Sequence, residues 1–415
     1  MRIIVYPHDL NIGGSQLNAI ELAAAVRDLG HEVLIFGRRG ALNARIDALG
    51  VEFIEAPPMG KRPSPSAAAA LRDIVDRRGI DVIHGYEWPP TLDATLAVAG
   101  RRRPAVMATV MSMSVPRFIP RSVPLVVGTE EIADAERHAG RRRVDVLEPP
   151  VDLTHNDVAH DPGVAAFRER FGLHEERITI VSVSRFAREL KLEGVLTAID
   201  VVGRMSRTDP VRLVLVGDGP ASSEVEGRAR RVNDEFGPGT VVLTGRLDDP
   251  RPAYAAADIS FGMGGSALRA LAYGSPLIVQ GEHGFWKTLT PHTIEAFLWT
   301  GWYGVDGGAE HGVEALESEL RPLVRSHALR RQLGAYGLGL VRERFSLERA
   351  AALQVAMYER ALDRPAPFPL ASNVAALGRY GAYYVGKRVR RARGTEAEDD
   401  FNARPVTALR RAATT

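Results

Sequence analysis

Two doubly wound parallel sheets, each covered by helices on both faces, are the α/β architecture that this 415-residue chain predicts. Three observations carry that expectation. Short apolar strands alternate with segments of helical periodicity through the first 150 residues. The double proline Pro149–Pro150 and the polar run THNDVAHDPG then break the pattern, and after them the alternation restarts. A single hydrophobic core rarely grows beyond about 250–300 residues, so two domains fit the length. The expected boundaries are 1–150 and 151–345, with a helix over 346–362 returning to complete the first domain and a tail over 363–415.

The first half begins with the apolar strand Ile3, Ile4, Val5. Asn11, Gly13 and Gly14 then form a turn, and Ser15 is placed to cap the next helix. Leu17, Ile20, Leu22, Ala23 and Val26 give that helix an apolar face, Gly30 ends it, and HEVLIFG is the second strand. Strand, Gly-Gly turn, helix, strand is a βαβ unit. It lacks full GxGxxG spacing, and Gly37, Arg38 and Arg39 stand where a dinucleotide site carries an acidic residue. Both features argue against nicotinamide or flavin dinucleotides.

The alternation continues. Residues 41–49 read as helix, VEFIEAP as strand, PSPSAAAALRDIVDRRG as a capped helix and DVIHGYEWPP as a strand opening into a loop. Residues 91–100 are helical, PAVMATVMSM and residues 123–127 are strands, Thr129 caps a helix over 130–139, and VDVLEPPVDL closes the half. Six or seven parallel strands result. His8, Gly13, Gly14, His84, Glu87 and Trp88 fall just past the carboxyl ends of strands, the rim where such sheets bind ligands. Singly, each reads as a loop residue bonding its own turn; together they read as the lining of a binding cleft.

In the second half ITIVSVSRF, VRLVLVGDGP and TVVLTGRL are strands separated by helices. Arg185 ends the first of these strands and Lys191 follows six residues later. Two cations at a strand end suit a diphosphate, since Arg forks two oxygens and Lys adds a compact charge; a solvated basic loop is the plain alternative. Gly245 and Arg246 follow the third strand, where a backbone group and a flat guanidinium suit a nucleobase. DISFGMGGSALRALAYGSP is a buried strand running through Gly264 and Gly265 into a helix that starts near Ser266. Free N–H groups, the helix dipole and absent Cβ atoms make such a turn an anion cradle, or simply a tight βα connection. Then comes QGEHGFWKTLTPHTIEAFLWTGWYG, in which Glu282 and His283 sit at the rim as contacts for a sugar or acceptor. Phe285, Trp286, Phe297 and Trp299 read as packing.

Composition narrows the classes. Hydrophobic residues at 45% and charged residues at 25% fit a globular protein. The net charge of +2 gives no whole-chain argument for nucleic acid. There is no cysteine, hence no disulfide, thiolate metal site or cysteine nucleophile. No apolar run approaches the roughly 18 residues of a membrane span, and MRIIVYPHDL enters a strand with no leader-like segment, so a cytoplasmic protein is expected.

Taken together, NIGGSQLNAIELAAAVRDLGHEV, the strand ending in Arg185 with Lys191 after it, VRLVLVGDGP, LTGRLDD and ALRALAYGSPLIV resemble glycosyltransferase family 4. VLEPPVDL stands where that family has its interdomain turn, and FSLERAAALQVAMYERALD resembles its last helix. The resemblance covers residues 1–362. It implies the GT-B architecture of two Rossmann-like domains, the C-terminal one holding the donor. It also implies transfer of a sugar from a nucleotide diphosphate with retention at the anomeric carbon and no required metal. The co-substrate would be a UDP- or GDP-sugar, with no other cofactor, and the acceptor a glycan, a lipid-linked glycan or a small molecule. Arg185 and Lys191 match the family's diphosphate pair and would act catalytically on the leaving group. Gly13, Gly14, Gly245, Arg246, Gly264, Gly265, Ser266, Arg269 and Glu282 would meet the donor, and His8, His84, Glu87 and Trp88 would face the acceptor. The family's E-x7-E pair is replaced: aligned on Ala270, Ala272, Gly274 and Pro276, Arg269 takes the second glutamate's place and Phe261 the first's. Met111 stands where many relatives have a histidine. The alternative is a catalytically silent GT-B protein that binds a nucleotide-sugar or glycan; an epimerase of the same fold ranks below both.

The tail turns basic and aromatic, with Arg379, Lys387, Arg388, Arg390, Arg391 and Arg393 among Tyr380, Tyr383 and Tyr384. It reads first as a solvated, partly disordered segment. Peripheral contact with an anionic inner membrane face is its functional reading, and nucleic-acid binding has no supporting fold.

Overall fold

The computed structural model describes residues 1–60, 62–101, 103–173, 176–363, 370–395, 401–402 and 405–406. The proline-rich start of the tail over 364–369 and its last nine residues, expected to be partly disordered, lie outside the described residues. The chain forms two compact units, Met1–Pro149 with Leu347–Thr415, and Pro150–Ser346.

The first unit is built on seven strands: β1 (Arg2–Tyr6), β2 (Glu32–Gly37), β3 (Glu52–Glu55), β4 (Val82–Tyr86), β5 (Ala105–Val110), β6 (Leu125–Val127) and β7 (Val144–Val146). Their order is β3-β2-β1-β4-β5-β6-β7, and every pairing is parallel. The strands are near-continuous apolar runs because both faces are covered. Alternation along β1 shows it: Ile3 and Val5 join one buried cluster, Ile4 and Tyr6 the other. Leu347–Asp363 closes the first face, with Ala350, Met357 and Tyr358 in the same cluster as Ile20 and Val5. Each such buried side chain contributes about 1.5–3 kcal/mol.

Local signals explain the helices. Ser64 caps Pro65–Arg78 by accepting from the Ala67 N–H at 3.3 Å, and Gly79 ends that helix in the left-handed region. Thr129 caps Glu130–His138 through the Ile132 N–H at 3.1 Å. Ser15 is not a cap. Gly13 takes that position for Gly14–Asp28, and the Ser15 hydroxyl turns to Glu87.

The second unit carries β8 (Ile178–Val183), β9 (Val211–Val216), β10 (Val241–Gly245), β11 (Ile259–Gly262), β12 (Leu277–Gln280) and β13 (Trp286–Thr288) in the order β10-β9-β8-β11-β12-β13. Five strands are parallel and β13 is antiparallel. That edge strand is unexpected. It buries Trp286 against Phe261, ring centroids 5.2 Å apart, where the sequence suggests loop packing. Phe297 packs as expected, whereas Trp299 is 42% exposed.

Both sheets run 3-2-1-4 across their centres, so each has its switch point between its first and fourth strands. Ligands bind at the carboxyl ends beside that point. Among the described residues no helix is long and apolar enough to cross a membrane.

Candidate active site

In the second unit the switch point lies between β8 and β11, with Phe261 beside Ser182 in register. The loop after β8 carries Arg185 and Lys191, and the loop after β11 carries Gly264, Gly265 and Ser266. The sheet register therefore brings two sequence-distant candidates to one edge.

The backbone around Arg185 is held by the 217–219 turn. The Phe186 N–H donates to the Asp218 carbonyl at 2.8 Å. Gly217, at φ 144°, lies so close that a Cβ there would stand 1.9 Å from the Ser184 carbonyl oxygen. Gly219 repeats this against the Phe186 carbonyl at 2.6 Å. GDGP thus supports the backbone on either side of Arg185. Arg185 itself is exposed and has no ion-pair partner among the described residues, whereas Arg188 pairs with Glu224 at 2.6 Å.

Lys191 precedes Leu192–Met205, and its carbonyl accepts from Gln280 Nε2 at 2.9 Å. Burial lowers its pKa to about 8, against the opposing pull of Glu282. Glu282 does not stand free for a sugar. Its carboxylate accepts from the Leu190 N–H at 3.1 Å and from the Tyr303 hydroxyl at 2.6 Å. Its place is that of a strut for the β8 loop and a countercharge near Lys191. Glu193 completes the lock by accepting from the His283 and Gly284 N–H groups at 3.1 and 2.7 Å.

At the other loop Gly264 has φ 56° and its N–H donates to the Trp302 carbonyl at 3.0 Å. Gly265 begins the helix Gly265–Ala272. The Ser266 hydroxyl donates to the Met263 carbonyl at 3.0 Å and accepts from the Met263 N–H at 3.3 Å, which closes the turn. Ser266 therefore offers a backbone N–H, not a hydroxyl, to any anion. Arg269 folds back toward the same turn, its Nη1 3.5 Å from where a Gly265 Cβ would be. Gly245 and Arg246 share the carboxyl edge but follow β10, two strands from β8, and Arg246 pairs with Asp248 at 3.4 Å.

The first unit has a second assembly at its own switch point, between β1 and β4. Glu87 sits there with φ 69°, nearly buried. Its carboxylate accepts from Ser15 Oγ at 3.3 Å, the Met111 N–H at 2.9 Å and Ser112 Oγ at 3.0 Å, so one side chain ties three loops. Burial raises its pKa, opposed first by the charge of His8 and then by the hydrogen bonds of Met111, Ser112 and Ser15. His8 Nε2 lies 3.0 Å from Gln16 Nε2 and 3.2 Å from Asp9, and Gln16 also donates to Asp9 at 2.9 Å. Burial raises the Asp9 pKa, but the hydrogen bond and charge of His8, with the Asn11 N–H and Gln16, outweigh it and set it at about 2. Gly13 and Gly14 start the adjoining helix, and a Cβ on Gly14 would meet nothing within 4 Å.

Two acceptor-side expectations are corrected. His84 is inside β4, not beyond it, and is 0% exposed. Its nitrogens are taken by the Tyr358 hydroxyl at 2.8 Å and Thr109 Oγ1 at 2.7 Å, and burial lowers its pKa to about 3. It is a neutral core histidine. Trp88 is not an open platform: its ring packs on Phe118 at 5.3 Å and on Tyr380 at 5.6 Å. Tyr380 belongs to the helix Leu370–Ala392, which forms where the sequence reads as a solvated tail because its aromatic face finds these rings.

Sequence reasoning missed Asp9, Gln16, Glu193 and Tyr303. An acidic residue in a first helical turn, as Glu193 is, was a visible signal; its loop partner was not. Strain marks the same places. Among the described residues four non-glycine residues have positive φ: Glu87 at the first rim, and Leu190, His283 and Trp302 around the second. Such strain concentrates at functional sites.

Comparison with known proteins bears on the fold and the family. The model of "Glycosyltransferase Family 4" matches residues 12–183, and that of "Glycosyl transferases group 1" matches residues 177–298. A search of the curated proteins finds no match. Among solved structures, a glycosyltransferase from Rickettsia africae ESF-5 superposes with a TM-score of 0.68 at 16% identity, covering 87% of this chain and 98% of that one. HepE of Anabaena, solved in complex with UDP, gives 0.65 at 16% identity, covering 87% and 100%. Sucrose-phosphate synthase from Thermosynechococcus elongatus gives 0.64 at 18% identity, covering 88% and 100%. These likenesses establish the shared GT-B fold. With two successive family models spanning residues 12–298, the chain belongs to the family-4 type of glycosyltransferases.

Proposed function

We propose that the chain transfers a hexosyl group from a nucleotide diphosphate donor, with retention at the anomeric carbon and without a required metal. The observation that carries this reading is that the loop bearing Arg185 and Lys191 and the Gly264–Ser266 turn leave the carboxyl ends of the adjacent strands β8 and β11, at the switch point. Two cations and a helix N-terminus suit a diphosphate. As the glycosidic bond breaks, charge grows on the leaving diphosphate, and fixed cations stabilise that state more than the ground state. Lys191, partly desolvated, gains most from an incoming anion.

HepE was solved with UDP and with UDP-glucose, which supports a uridine donor ahead of a guanosine one. Arg269 cannot accept ribose hydroxyls as a glutamate does. Its position beside the Gly265 turn supports a third cation for the phosphates. The first unit's rim of His8, Asp9, Gln16 and Glu87 is the acceptor side, taking a glycan, a lipid-linked glycan or a small molecule, and the Gly13–Gly14 turn serves the donor. A polysaccharide pathway fits the first two.

The test is nucleotide release from UDP- and GDP-sugars, with and without glycan acceptors, by the full chain and by Arg185→Ala with Lys191→Ala. Turnover lost in the double variant supports the reading, and unchanged turnover overturns it. Nucleotide binding without turnover on any donor favours the silent GT-B protein. Magnetic resonance of the product anomer decides retention, and turnover in chelator decides metal independence.

A further inference from the structure

We infer that the Leu370–Ala392 helix is a docking surface for an anionic lipid bilayer, held in place by the first unit. Its inner face is already occupied. Tyr380 and Tyr383 pack on Phe118 at 5.3 and 5.0 Å, Ala376 is 2% exposed, and Arg379 Nε donates to the Arg117 carbonyl at 2.8 Å. Phe401 lies against the same face, its ring 5.7 Å from Tyr383 and 6.1 Å from Phe118, and its carbonyl accepts from the Ser114 hydroxyl at 2.8 Å.

The outer face is mainly apolar, with the exposed Arg388 set among its side chains over the Tyr384 ring. Val374, Leu377, Tyr384, Val385 and Val389 are 44–62% exposed. At about 100° per residue they fall within an arc of about 140°, turned away from Ala376 and Tyr383. They are five of the eleven exposed large apolar side chains among the described residues, gathered on one helix. A stripe of this kind marks an interaction face rather than ordinary surface.

Charge selects the occupant. The helix has no Asp or Glu, and its exposed C-terminal cations border the stripe: Arg388 lies within its arc, Arg391 beside it and Arg393 just beyond the helix end, while Lys387 and Arg390 are half-buried on the inner side. An apolar stripe beside a basic cluster fits the boundary between lipid headgroups and acyl chains. The helix is too polar to cross the membrane, so it lies on the surface. The surface is independent of the donor site and of the transfer reading.

The test is co-sedimentation of the full chain with vesicles of phosphatidylcholine alone and with about a third phosphatidylglycerol. Binding to the anionic vesicles should be at least about tenfold tighter, and should fall as salt approaches about 1 M. Val374→Asp with Val385→Asp, both on the outer face, should weaken it at least tenfold without changing the far-ultraviolet circular dichroism. Should that variant misfold, Arg388→Glu with Arg393→Glu gives the same loss through charge alone. Equal binding to both vesicle types, no binding to either, or variants that bind like the parent would overturn the proposal. So would light scattering that shows a dimer which the valine variants dissociate, since the face would then belong to a second copy.

Discussion

Raising the pH from about 7 to about 9 should weaken donor binding about tenfold, through Lys191. Burial sets its pKa at about 8 in the unliganded protein, with Glu282 pulling the other way. A diphosphate bound by the ammonium requires the proton, so the observed dissociation constant scales as one plus the ratio of neutral to charged lysine. That factor is about 1.1 at pH 7 and about 11 at pH 9, a difference of about 1.4 kcal/mol. At about pH 8 half the molecules must take up a proton on binding, so calorimetry in buffers of different ionisation heat should report an uptake of about half a proton. Lys191→Arg keeps its charge across this range and should flatten the dependence, which also controls for titration of the nucleobase. Glu282→Gln removes the opposing charge and should move the loss of affinity to lower pH. Affinity independent of pH, or an unchanged slope in Lys191→Arg, would refute the reasoning.

Three further outcomes follow from the same structure. Arg185→Ala should lower kcat/KM about 10²–10³-fold, near 3–4 kcal/mol, while the melting temperature stays put because the side chain is exposed. Gly217→Ala should lower both stability and donor affinity, since its Cβ would meet the Ser184 carbonyl at 1.9 Å; thermal melts and calorimetry check the two effects. The strain should exceed about 1 kcal/mol. His84, neutral in the fold with a pKa near 3 against 6.5 unfolded, takes up its proton mainly in the unfolded state between those values. Its contribution to stability is present above about pH 6.5 and lost as pH falls toward 3, about 2 kcal/mol of it between pH 7 and pH 5. Denaturant melts of wild type and His84→Gln should differ in that slope, and equal slopes would exclude the group.

The fold was legible because alternation of short apolar strands with helical periodicity is a local signal, repeated along β1 to β5 and again along β8 to β12. The switch-point loops were legible for the same reason: Arg185 and the Gly264–Ser266 turn come just past strand ends, and Lys191 closes the loop that Arg185 opens. What stayed hidden depended on partners distant in sequence. His84 reads as a rim histidine until the register of β4 and the Tyr358 hydroxyl, 274 residues away, show it inside the core. Glu282 reads as a sugar ligand until Leu190 and Tyr303 claim its carboxylate. Trp88 reads as an acceptor platform until Tyr380 covers it. The tail reads as solvated because half its amphipathic character is used against Trp88 and Phe118, which no periodicity within the helix reveals.

The most direct test of the account is a crystal structure of the full chain with UDP or GDP. The account places the diphosphate at the carboxyl ends of β8 and β11, within hydrogen-bond reach of Lys191 Nζ and of the Gly265 and Ser266 N–H groups. A nucleotide bound elsewhere, or one whose phosphates leave Lys191 and that turn untouched, would contradict it.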